Sequence, residues 1–315
     1  MAIRRFSSRA VLGLLLTFAF GLALPARAEK PKDKPQTDKP KAEKKENKGE
    51  FIRVLRDEKD RPIAMQTAIV RYAKKGDESG TYVDLVGAVH IGDTSYYKEL
   101  NKEFENYDAL LYELVAPADT RPKTGGGSSH PVGQLQQGMK NVLELDYQLD
   151  RIDYHKKNFV HADMSPDDFS KSMADRGDTF WSMLFRMMGQ SMAQQAGNSK
   201  AAETELLLAL FNPNRALALK RALAQQFEDL DGAMNIFEGP DGSTIITDRN
   251  KVALDVLKKE LASGKKHLGV FYGAGHLPDM EKHLQDDFGM QRVSTRWLTA
   301  WNMADKTKAK SAKKK

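Results

Sequence analysis

Gly87-Ala88-Val89-His90-Ile91-Gly92-Asp93 and Gly273-Ala274-Gly275-His276-Leu277-Pro278-Asp279 are two copies of one pattern, Gly-Ala-x-His-apolar-x-Asp. Each follows a short apolar run, Tyr82 to Val86 in the first case and Leu268 to Tyr272 in the second, and each precedes a stretch with helical spacing. Both therefore read as strand, turn and helix, which places two imidazoles in the same local setting. Open α/β sheets put their working groups at the carboxyl ends of such strands. Gly-x-x-His alone is weak evidence, since Gly127 to His130 and Gly264 to His267 also fit it. What separates the two long copies is the shared Ala, the shared apolar residue, the shared Asp and the shared position between strand and helix.

Working outward, Ala109 to Val115 reads as a second strand after the first motif's helix, so strand, helix and strand form a parallel βαβ unit. Asp93 is the expected N-cap of that helix. Phe51 to Arg56 and Ala64 to Tyr72 flank the Asp57 to Pro62 turn as an edge hairpin. A Pro/Gly/Ser loop from Pro117 to Pro131 leads to an expected helix from Val132 to Leu149. Phe159 to Ala162 is a short strand, and the pattern beyond it is helical to about Leu230, including a Met-rich segment opened by Asp178 and a helix opened by Asn212-Pro213. Thr247 is the expected cap of a helix running to Leu261. The second motif's helix runs to Asp287, and a last strand lies near Arg292 to Trp301. The fold expected is α/β: a central, mostly parallel or mixed sheet flanked by helices, with a helical insertion over about 132–235.

The two ends have a different character. Arg4, Arg5 and Arg9, an apolar run from Ala10 to Ala23 and the small-x-small site Ala26-Arg27-Ala28 read as a signal peptide over 1–28, cleaved after Ala28. Export to a periplasmic or secreted location follows from that reading; an uncleaved anchor is the alternative. Arg4-Arg5-Phe6 also matches the start of a twin-arginine signal, a pairing common in ordinary signals. Residues 29–50 are Lys, Pro, Glu and Asp with almost nothing apolar, a composition that cannot offset its ordering entropy, and so read as a disordered linker. Residues 304–315 form a basic tail of the same kind.

Residues 1–28 carry +4, 29–50 carry +2 and 304–315 carry +5, so the +6 of the whole chain leaves −5 for the folded part, 51–303. An acidic core excludes a nucleic-acid-binding domain. The basic segments could still bring weak association with a membrane surface or a polyanion. With no cysteine in the chain, disulfides, thiolate ligands and a Cys nucleophile are excluded together. Any metal must sit on His and carboxylate.

His90, Glu113, Asp163 and His276 all fall at or near the carboxyl end of an expected strand, and those ends face a common crevice. Two imidazoles and a carboxylate are the ligand set of an open site for a divalent transition ion, manganese, cobalt or zinc, with a position left for water. Gly87 and Gly273 would let the chain turn sharply and the backbone approach the ion. Glu113 lies in the apolar run Ala-Leu-Leu-Tyr-Glu-Leu-Val, where a charge is costly unless paired or metal-bound. His161 points the same way as Asp163 in an extended strand and reads as packing or support. Arg249-Asn250 opens a helix, where a basic residue opposes the macrodipole and invites a special explanation. Each of these also has a plain structural reading: a hydrogen-bonded His, a turn Asp, a solvated Arg. Metal-assisted hydrolysis is the reaction class to which the set points.

The paired Gly-x-x-His motifs, Glu113 on the following strand and Arg249-Asn250 before the second motif together resemble the TraB/PrgY/GumN/Tiki superfamily. The resemblance covers Tyr82 to Val115 and Thr247 to Trp301, and leaves out Gln134 to Leu230. It implies an α/β domain related to ChaN-like and erythromycin-esterase-like folds. It further implies that His90, Glu113 and His276 bind a divalent ion with Arg249 nearby, in a metal-dependent peptidase acting on a peptide or protein substrate. On this reading Asp163 completes the shell or orients water, and Arg249 stabilises an oxyanion with Asn250 in support. The alternative is a non-catalytic envelope protein that sequesters a peptide, a metal or heme, with the Met-rich helices as its contact surface.

Overall fold

The computed structural model describes residues 51–118, 120–122, 142–177, 208–209, 211–227 and 242–305. The signal segment, the linker, the tail beyond Asp305, His130 and the Met-rich segment lie outside the described residues. Within them the chain is an α/β protein. In order, it forms β1 (Ile52–Arg56), β2 (Pro62–Lys74), β3 (Tyr82–Ala88), β4 (Ile91–Gly92), α1 (Thr94–Glu103), β5 (Ala109–Tyr112), β6 (Asp146–Tyr147) and a one-turn α2 (Gln148–Arg151). There follow β7 (Phe159–His161), α3 (Pro166–Asp175), α4 (Arg215–Phe227), α5 (Arg249–Ala262), β8 (His267–Gly273), α6 (Leu277–Asp286) and β9 (Met290–Asn302).

The main sheet runs β1-β2-β3-β8-β5-β7, with β9 also paired to β2. From β3 to β7 the neighbours are parallel: Val86 pairs with Phe271 across β3 and β8, Leu111 with Val270 across β5 and β8, and Tyr112 with His161 across β5 and β7. The β2 side is antiparallel. Thr67 pairs with Ile52 and Leu298, and Ile69 with Val86 and Arg296, so β1 and β3 share one edge of β2 while β9 takes the other. The expected edge hairpin is corrected accordingly, because β2 is an interior strand with three partners.

Alternation along the strands separates two cores. Val86, Leu110, Tyr112 and Phe271 pack with Tyr96, Leu100 and Phe104 of the α1 side, and α4 joins through Leu219 and Ala224. Val83, Leu85, Leu111, Val270 and Tyr272 pack on the other face with Leu254 and Leu257 of α5 and Leu277, Met280 and Leu284 of α6. With both faces covered, the parallel strands are near-continuous apolar runs, as the sequence shows.

Several local expectations change. Asp93 stands at the N-cap of α1 but makes no capping bond; its carboxylate takes Lys220 Nζ at 3.1 Å and the Asn302 N–H at 2.6 Å. Thr247 does not cap α5. A π-helical turn, Thr244–Asp248, precedes that helix, capped by Ser243, and Thr247 Oγ1 accepts from the Ser243 N–H. The end of the expected Val132 to Leu149 helix is β6 and the start of α2, while its first part lies outside the described residues. The range 132–235 is not wholly helical, since β7 belongs to the main sheet.

Candidate functional site

The carboxyl ends of β3, β8, β5 and β7 lie side by side, and the N-terminus of α5 sits over them. Arg249 and Asn250, the first two residues of α5, are both fully buried. Arg249 Nε donates to Asp163 Oδ1 at 2.9 Å, and Nη2 donates to Asp163 Oδ2 and to Glu113 Oε1, each at 2.6 Å. A planar fork that meets one carboxylate with two bonds and a second with one is a task for Arg and not for Lys. The basic residue at a helix start thus has its explanation in two anions just past the ends of β5 and β7.

Glu113 is held from its other side by the Gly273 N–H, which reaches Oε2 at 2.7 Å. A Cβ on Gly273 would stand 3.3 Å from that oxygen, so the glycine makes room for the carboxylate. Gly87 has a different reason: its missing Cβ would meet Ala68 O at 3.2 Å and Phe51 O at 3.5 Å, which are packing contacts at the junction of β1, β2 and β3. Burial pushes the Glu113 carboxyl up, but the Arg249 guanidinium, helped by His276, His90 and the Gly273 N–H, more than offsets it and holds the group below the ordinary carboxylate range.

His276 lies in a short 3-10 turn between β8 and α6 and is 5% exposed, so its imidazole has lost most of its hydration. That burial pushes its pKa down to about 4, with Glu113 opposing the shift and Arg249 reinforcing it. The ring is neutral at pH 7. Nδ1 lies 2.7 Å from Asn250 Oδ1, while Asn250 Nδ2 donates to His276 O at 3.0 Å and to Asp279 Oδ2 at 2.8 Å. Because both Nδ2 protons go to acceptors, Oδ1 must accept from Nδ1–H, and Nε2 is left with its lone pair. Nε2 faces Glu113 Oε1 at 3.7 Å and Arg249 Nη1 at 3.5 Å.

His90 stands apart from this network. The strand before it, β3, pairs with β8 through Ala88 and Gly273, and the His90 ring is close enough to act electrostatically on Glu113 and His276. The ring is exposed in a bend and makes no hydrogen bond among the described residues. The backbone around it is pinned: Tyr96 and Tyr97 hydroxyls donate to the carbonyls of Gly87 and Val89, the Gln148 N–H to His90 O, and Trp301 Nε1 to Ile91 O. The two motif histidines therefore occupy unlike settings, one exposed beside the short β4, the other buried in a turn. This corrects the expectation of equivalence, and the cause is the β4–β6 pair, Ile91 with Tyr147 and Gly92 with Asp146, which only the first motif has.

Asp163 is buried and committed to Arg249, with Oδ1 also accepting from the Met164 N–H at 2.8 Å. His161 Nε2 donates to Leu114 O at 2.6 Å, bracing the segment just after Glu113. Nothing in the sequence alone assigns a role to Tyr272 or Asp279. The Tyr272 hydroxyl donates to Ala162 O, and its ring meets the His276 ring edge-on at 5.3 Å between centroids. Asp279 was visible as the last residue of the repeat, but the same position in the first copy, Asp93, binds different groups, so repetition could not reveal its partner.

No group of three His, Asp or Glu in an arrangement that could hold a metal occurs among the described residues. Among them, too, no helix is long and apolar enough to cross a membrane. No family model matches the chain, and no curated protein or solved structure matches it either.

Proposed function

We propose that this rim is the active site of an exported, divalent-metal-dependent hydrolase acting on a peptide or protein substrate, with His276 and Glu113 as the two ligands that already face each other and His90, which is not arranged with them as a three-ligand group, as the third that the motif resemblance implies. The observation that carries the reading is the pairing of His276 Nε2, unprotonated, with ionised Glu113 Oε1 at 3.7 Å. Both groups are in the protonation state that a cation requires. His90 offers a third donor on a loop whose carbonyls are tied down, so its backbone needs no ordering on binding. The motif resemblance to the TraB/PrgY/GumN/Tiki superfamily supports the same set. A manganese, cobalt or zinc ion held there would supply a Lewis acid that activates water and polarises a scissile carbonyl.

The chain's own residues do the positioning. Asp163 aligns Arg249, Arg249 and the Gly273 N–H aim Glu113, and Asn250 orients His276. Arg249 is committed to two carboxylates and has no solvent exposure, so its part in this proposal is to hold Glu113 and keep it ionised, in place of direct contact with an oxyanion. Purified protein reloaded with manganese, cobalt or zinc should bind metal in a manner lost in His90→Ala and His276→Ala, and should cut members of a peptide library. Metal uptake indifferent to both histidines would reject the reading.

A second reading has its own observation. Arg249 already pairs with both Glu113 and Asp163 and offsets one of their two charges, which suits a site that retains a ligand without turnover. Retention of library peptides with no fragments formed would favour that binding protein.

A further inference from the structure

The geometry assigns Asp279 as a positioning residue that, acting through Asn250, fixes the tautomer of His276. The inference deepens the proposed site, since it matters most if Nε2 is the working nitrogen, yet it stands on separate contacts. Asn250 is buried between two groups that both need a defined answer from its amide: the His276 imidazole on one side and the Asp279 carboxylate on the other. An amide can be turned over at no cost to its shape, so its own packing does not decide which end faces the ring. Asp279 decides it. An ionised carboxylate only accepts, so at 2.8 Å Asp279 Oδ2 demands the amide nitrogen. The His276 carbonyl, at 3.0 Å, makes the same demand of the second amide proton. Oδ1 is then turned to Nδ1 at 2.7 Å, Nδ1 carries the proton, and the lone pair is confined to Nε2, the nitrogen that looks toward Glu113.

The plain alternative is that Asp279 merely places a negative charge in the first turn of α6, where it favours the helix dipole. The two roles differ in what they predict for the imidazole. A dipole role leaves the proton on His276 indifferent to residue 279. A relay does not, because it needs at 279 a group that only accepts. Asp93, at the same place in the first copy, is spent on Lys220 and the Asn302 N–H, and the His90 ring has no such partner among the described residues, so within them the device belongs to the second motif.

The test is nitrogen NMR of the full chain labelled in histidine, at neutral pH without metal, with the His276 resonances assigned by their loss in His276→Gln. Wild-type protein should show Nδ1 protonated and Nε2 bare. Asp279→Ala should raise the Nε2-protonated population about tenfold, the worth of one charge-assisted hydrogen bond in an orientational equilibrium. Asp279→Asn, whose own amide can turn to offer Asn250 a donor in place of the acceptor, should raise that population too. Wild-type protein with the proton on Nε2 overturns the inference even if the alanine variant fails to fold. An Asp279→Ala variant that folds and keeps the wild-type tautomer overturns it as well. Metal titration of the same samples separates the two proposals: a correct tautomer with no metal bound rejects the hydrolase reading and leaves the relay standing.

Discussion

Arg249 has no contact with solvent, and a lone guanidinium in that position would face a desolvation cost of several kcal/mol. Two carboxylates meet it, so the cluster of Arg249, Glu113 and Asp163 carries one net negative charge, and neutral His276 sits beside it. The same burial makes the site acid-sensitive, and the sign follows from linkage. His276 is a base whose native pKa, about 4, lies below its ordinary 6.5, so the unfolded chain takes the proton first. Its contribution is fully present above pH 6.5 and is lost as pH falls through about 4. Glu113 is an acid held below its ordinary 4.5, so its contribution is present above that value and is lost as pH falls through the lower native one. Both act in one direction. Stability should decline from about pH 6.5 downward, with a His276 share on the order of 3 kcal/mol spent by about pH 4. Urea midpoints across this range should fall less steeply in His276→Gln. Parallel declines in the two proteins would mean that the imidazole is not buried as described.

Among the elements, β8 decides the rest, because it separates β3 from β5 and delivers both Gly273 and His276 to the rim. Gly269, in its middle, has no room for a side chain: a Cβ there would come within 2.6 Å of Leu110 Cδ1 and 2.8 Å of the Tyr107 ring. Gly269→Ala should therefore cost about 1–3 kcal/mol by overpacking, read as a lower denaturant midpoint with an unchanged slope. A variant within a few tenths of a kcal/mol of wild type would show that β5 and the Tyr107 ring yield readily. The apolar runs that become β3, β5 and β8 were legible in the sequence because strands buried on both faces must be apolar throughout. Glu113 and Arg249 stood out for the complementary reason, each being a charge where local chemistry disfavours it. The partners of β2, the β4–β6 pair and the commitment of Arg249 to Asp163 were not legible. Each depends on segments far apart in the chain, and no local spacing encodes such meetings.

At the scale of the molecule, chain order and sheet order disagree in a way that has consequences for folding. The N-terminal part supplies β3 and β5, yet these do not touch as neighbours; the strand that joins them, β8, comes from the last fifty residues, as does β9 along the far edge of β2. The acid cluster repeats the pattern, since Arg249 reaches back to Glu113 and Asp163 while His276 and Gly273 arrive later still. Loop closure over such separations must precede the contacts that reward it, which makes the fold dependent on its C-terminal segment. A chain ending at Ser263 keeps α5 but leaves the inner edges of β3 and β5 unpaired and the α5-side core without β8 and α6. Such a truncation should retain helical signal without a cooperative denaturant transition. Adding the missing segment, from Gly264 onward, as a separate peptide should restore part of that cooperativity, because the interface it completes is an interior sheet with two apolar faces. A truncated chain that unfolds cooperatively by itself would place the stability of this protein somewhere other than the β3–β8–β5 junction.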